Sequence, residues 1–68
     1  MNIKYFRGTD TALLEFSDRP VDETREISEN IYVDLDESGN LVSMTIEHAK
    51  ESCGLSEFTY KELGNQTV

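Results

Sequence analysis

The run Asp34-Leu35-Asp36-Glu37-Ser38-Gly39-Asn40-Leu41 begins like a calcium loop. Oxygen-bearing side chains stand at its first, third and fifth positions, glycine at the sixth and an apolar residue at the eighth. A hard cation needs that oxygen set, and glycine allows the sharp turn that brings it together. The twelfth position, where a bidentate glutamate should close the shell, is Thr45. Losing two of the expected oxygens lowers affinity steeply, and the flanking residues read as strands where a calcium loop has helices. The residues leave open a weak calcium- or divalent-cation-binding module at this turn, beside the simpler reading of an acidic hairpin turn.

Other chemistry is sparse. His48 is the single histidine and Cys53 the single cysteine. A base at His48 would look to Glu47 or Glu51. On a helix, five residues separate His48 from Cys53 by roughly 140° around the axis, so the two do not face each other. No nucleophile, base and orienting third group come together. One His and one Cys do not complete a four-ligand zinc site within the chain. Ser52-Cys53-Gly54 reads as a small buried thiol at a helix end. The acidic pairs Asp22 with Glu23, Asp34 with Asp36, and Glu26 with Glu29 would need a concave pocket to act as paired carboxylates. Gly8, Gly39, Gly54 and Gly64 are isolated, so no phosphate-cradling loop is present. The reading assigns no catalytic, cofactor-binding or metal-ligating residue, no cofactor, and no enzymatic activity.

Bulk properties narrow the partners. Sixty-eight residues carry a formal charge of −8, from 14 acidic and 6 basic side chains. The basic residues Lys4, Arg7, Arg19, Arg25, Lys50 and Lys61 are scattered, so no local patch reverses the sign. Nucleic acid and anionic membranes are disfavoured, and a basic protein partner fits better. A lone cysteine argues against a disulfide-bonded secreted domain. The N-terminus is interrupted by charge too early for a signal peptide, and no apolar run reaches membrane-spanning length. The expectation is a cytoplasmic protein with one small domain over residues 1–68, near the lower size limit for a single core.

The elements that must position these residues follow from their alternation. Ile3 and Tyr5 share one face of a first short strand, with Lys4 and Phe6 on the other. Gly8-Thr9-Asp10 is a turn. Residues 11–17 alternate, with Ala12, Leu14 and Phe16 together, so the first two strands form a hairpin. Ser17-Asp18-Arg19-Pro20 breaks the pattern, because proline lacks an amide donor and steers the preceding residue away from helical angles. A ragged edge strand fits around residues 24–27.

The strongest structural signal is the hairpin over residues 31–46. Ile31, Val33 and Leu35 form one apolar set, Val42, Met44 and Ile46 the other, and Gly39 lies in the connection between them. From Glu47 the spacing of Ile46, Ala49 and Cys53 fits one or two helical turns, with Gly54 as C-cap. Residues 55–63 fit a strand or a short helix, and residues 64–68 a frayed end. The fold class is α+β and predominantly β: a small antiparallel β-meander of about four to five strands with one short helix after the last central strand.

Leu13, Tyr32, Leu41 and either Phe6 or Tyr5 do not fit the inward sets. Leu55, Phe58 and Tyr60 of the tail can cover them. Otherwise they offer a surface for a protein partner or for a homo-oligomer.

Taken in order, several of these segments resemble a widespread bacterial and archaeal family of small domains of unknown function, numbered 2283. They are Tyr5, then Asp10-Thr11-Ala12-Leu13-Leu14-Glu15-Phe16-Ser17, then Glu23-Thr24-Arg25-Glu26-Ile27. The similarity continues from Ile31 through Asp34-Leu35-Asp36-Glu37-Ser38-Gly39-Asn40-Leu41-Val42 to Ile46-Glu47-His48-Ala49, covering residues 3–51. It implies a compact β-meander with a short helix after its last strand, and it supplies no catalytic residues. Leu13-Leu14, where an alternating aliphatic–aromatic pair is common, and the tail over residues 55–68 depart from the family pattern. The function expected is that of a non-enzymatic acidic domain acting through protein contacts.

Overall fold

A computed structural model of the chain describes residues 1–64. Five strands and one helix follow in order: β1 (Asn2–Phe6), β2 (Thr11–Glu15), β3 (Glu23–Ser28), β4 (Ile31–Leu35), β5 (Leu41–Ile46) and α1 (Ala49–Cys53). All neighbouring strands are antiparallel, and the sheet order is β1-β2-β5-β4-β3. The expected fold class holds: a small, mostly β protein with one short helix after its last strand. Its meander is confined to β3, β4 and β5. The β1–β2 hairpin joins β5 from the other side, so β2 through β5 form a Greek key.

The breaker between β2 and β3 is a connection that crosses one end of the sheet and delivers β3 to the far edge. Phe16 and Ser17 first donate their backbone N–H groups to the carbonyl of Val42, at 2.8 and 3.2 Å. Asp22 N–H then reaches the Leu35 carbonyl at 2.8 Å. Strand β3 is exposed along its whole length and carries a bulge between Glu26 and Ser28. Charge and a bulge together blunt an edge against strand addition.

Register decides which residues share a face. One row runs Ile3, Leu14, Met44, Val33 and Arg25; the next runs Tyr5, Ala12, Ile46 and Ile31. The opposite face carries Asn2, Glu15, Ser43, Asp34 and Thr24, then Lys4, Leu13, Thr45, Tyr32 and Glu26. The expected apolar sets of β1, β2, β4 and β5 therefore do meet on one side. All that lies over them among the described residues is α1 with residues 55–58, beside Tyr5 at one end. Among the described residues no large side chain is fully buried, and the buried apolar residues are Ala12, Val42 and Ala49.

The end of the chain corrects two expectations. Cys53 is exposed, not buried, because a helix of five residues turns only Ala49 inward. Residues 55–63 adopt neither strand nor helix. Leu55 and Phe58 lie beside Tyr5 and Lys50 and so do not cover Leu13 and Tyr32 on the other face, while Tyr60 is exposed. Of the end expected to fray, residues 65–68 lie outside the described residues.

Candidate functional site

Three places were singled out by residue type or emerge from the fold: the acidic turn, the junction between the β1–β2 turn and α1, and the apolar face.

At the acidic turn, Gly39 takes φ +83°, as its position requires. The carboxylate of Asp36 organises the loop. Its Oδ1 accepts N–H bonds from Ser38 at 2.9 Å and Asn40 at 2.8 Å, and Oδ2 lies 2.9 Å from Arg19 Nε. With only 8% of its surface exposed, Asp36 also links the β2–β3 connection to the β4–β5 turn. The Asn40 amide, then the Ser38 amide and the Arg19 charge, hold its carboxyl below the usual value despite burial. Asp34 is engaged elsewhere. Its Oδ1 accepts the hydroxyl of Thr24 and its Oδ2 that of Ser43, both at 2.6 Å on the polar face. The two acidic residues that begin the calcium-like pattern thus serve different partners.

The second place joins residues forty positions apart. Asp10 ends the β1–β2 turn at φ +53°, a conformation that Asp tolerates better than most residues. Its carbonyl accepts the N–H of Ala49 at 2.8 Å, and its Oδ1 accepts that of Lys50 at 3.0 Å. Oδ2 faces the Glu51 N–H at 3.4 Å, and Tyr5 donates its hydroxyl to Oδ1 at 2.6 Å. Asp10 therefore caps α1 from another element. The helix's own N-cap, His48, sits at φ +53° and offers no side-chain capping bond. A helix this short is not stable by itself and depends on such anchoring.

At its other end Gly54, at φ +62°, closes the helix by donating to the Lys50 carbonyl at 3.0 Å. The hydrogen bond from Tyr5, followed by that from the Lys50 amide, lowers the Asp10 carboxyl. The same Tyr5–Asp10 bond raises the Tyr5 phenol. Lys50 Nζ lies 5.0 Å from the Tyr5 ring centre, within cation–π reach.

This junction also gathers Asp10, His48 and Glu51, whose ligand-type atoms lie within 4.8 Å of one another. His48 Nδ1 is 3.4 Å from Glu51 Oε2. Sequence spacing pairs His48 with Glu47 or Glu51 but gives no sign of Asp10, which reaches them only through the fold. Asp10 is committed to Tyr5 and the amides of α1, while His48 and Glu51 are solvent-exposed. Docking of the helix accounts for the grouping.

The apolar face is the third place. Leu14, Met44, Val33 and Leu35 are only half-buried, and Ile3 and Phe16 at its margins are exposed. Its charged strand residues are Glu23 and Arg25, which pair at 2.7 Å and cancel. Arg25 lowers the Glu23 carboxyl, and Glu23 raises the Arg25 guanidinium in turn. On the other face, the charges of Glu47 and then Glu26 raise the Tyr32 phenol.

No helix among the described residues is long and apolar enough to cross a membrane. The family model described as protein of unknown function, DUF2283, matches residues 2–50. No curated protein and no solved structure matches the chain.

Proposed function

We propose that this chain, which belongs to the DUF2283 family, is a non-enzymatic cytoplasmic domain that acts through protein contacts made by its apolar sheet face. One observation carries the reading. Strands β1, β2, β4 and β5 align apolar side chains on one side, and among the described residues only α1 and residues 55–58, beside Tyr5 at one end, lie over it. An uncovered, contiguous apolar face on a small protein marks an interaction surface. The single exposed thiol, Cys53, suits a reducing compartment.

The test is a native pull-down of the tagged protein from its own cells, comparing wild type with Met44→Glu and Leu13→Glu. A stoichiometric partner, another copy included, should be retained by Leu13→Glu on the polar face and lost with Met44→Glu. Recovery of the chain alone and as a monomer would overturn the reading.

The divalent-cation reading of the 34–40 turn ranks second, because Asp34 and Asp36 already serve separate partners. A calcium titration followed at the Gly39 amide separates the two. Saturable shifts confined to the turn favour a metal module, and weak diffuse shifts are counterions on an acidic surface.

A further inference from the structure

The protein-contact reading leaves open what covers the apolar face; we infer that the occupant is a second copy of this chain, packed face to face about a two-fold axis to form a two-layer β-sandwich. This inference rests on that reading and goes beyond it by naming the partner.

Area is the first argument. The chain exposes 5477 Å², whereas a folded monomer of 7.8 kDa is expected to expose about 4,400 Å². The open part of this face and residues 55–64, nearly all of them exposed, both contribute to an excess of about 1,100 Å², and a stable complex buries roughly 800 Å² per partner. Stacking two such sheets about 10 Å apart covers the open part.

Charge is the second argument and selects the partner. Self-association of a chain with charge −8 is favourable only where the acid is absent. On the apolar face the Glu23–Arg25 pair is neutral, while Asp34, Glu15 and Glu26 point to the other side. A basic partner would find no counter-charge on this face and would be drawn to the opposite one. A two-fold contact requires a surface complementary to itself, and the apolar row Ile3, Leu14, Met44 and Val33, ending in the neutral Glu23–Arg25 pair, meets that requirement.

Sedimentation of the full chain across a concentration series is the experiment. It is paired with dipolar electron spin resonance of wild type carrying a nitroxide on Cys53. The expected results are a mass twice that of one chain, a melting temperature that rises with protein concentration, and dipolar coupling between labels. Met44→Glu should weaken association on the order of 100-fold, and Leu13→Glu should leave it unchanged. The labelled wild type keeps its native face, so the inference remains testable if Met44→Glu fails to fold. A folded wild-type monomer without dipolar coupling, at every concentration, overturns the second copy. If that monomer still captures another protein in a way Met44→Glu abolishes, the protein-contact reading survives alone; if it captures nothing, both fall.

Discussion

Asp10 and Asp36 do similar work at opposite ends of the sheet, and they differ in range. Each uses a carboxylate to collect backbone N–H groups at a chain reversal, and each has its carboxyl lowered by those bonds. Asp36 reaches amides two and four residues ahead, inside its own turn. Asp10 reaches amides forty and forty-one residues away and fastens a helix to a hairpin. The difference teaches that a local acceptor shapes one hairpin, while a distant one determines whether the last element stays attached.

Substitutions sharpen that contrast. The largest effect is expected from Asp36→Ala, which removes a buried carboxylate and leaves two amides and Arg19 without their acceptor. Its melting temperature should fall by roughly 10 °C. Asp36→Asn keeps the oxygen that serves the two amides and should recover more than half of that loss. Asp10→Ala comes next, at roughly 5 °C, with a different signature. Hydrogen exchange at the amides of residues 49–51 should accelerate while the strands keep their protection. If the strands open equally, the clasp is part of the sheet's own cooperativity and the contrast fails.

Acidification titrates both carboxylates. Their folded values lie below that of an ordinary aspartate, so the stabilisation they give is complete well above the ordinary value. It is lost as pH falls through the lowered folded values. Thermal melts from pH 6 down to pH 2 should show the decline beginning at about pH 4. The double variant Asp10→Asn, Asp36→Asn should flatten part of it. The smallest effect is expected from Tyr5→Phe, which removes one hydroxyl donor. A loss of about 2–4 °C in wild type should vanish in the Asp10→Ala background if the two act as one unit.

The same contrast explains what could be read from residues alone. Alternation places Ile31, Val33 and Leu35 with Val42, Met44 and Ile46, and Gly39 marks the turn between them, because each signal is local in sequence. The helix over Ala49–Cys53 and its Gly54 cap were legible for that reason too. Asp10 was visible only as a turn residue, since nothing near it in sequence announces a helix forty positions away. Strand order escaped as well: alternation shows that β2 and β5 are strands but not that Ala12 pairs with Ile46. Burial of Cys53 was expected on the assumption of a packed second layer, and the helix is too short to provide one. The alignment of these apolar sets was legible; that, among the described residues, only α1 and residues 55–58 lie over one end of them was not.

The pairing of β2 with β5 has a consequence for how the chain acquires its structure. The β3–β4–β5 meander and the β1–β2 hairpin are each local and can form independently of one another. Their union spans more than thirty residues, from Ala12 to Ile46, and carries the loop-closure cost of that separation. The Asp10–α1 clasp spans the same gap in the same direction. During synthesis the N-terminal hairpin must therefore wait, with the inner edge of β2 unpaired, until Ile46 has emerged. A single late docking step then completes the sheet and seats the helix together.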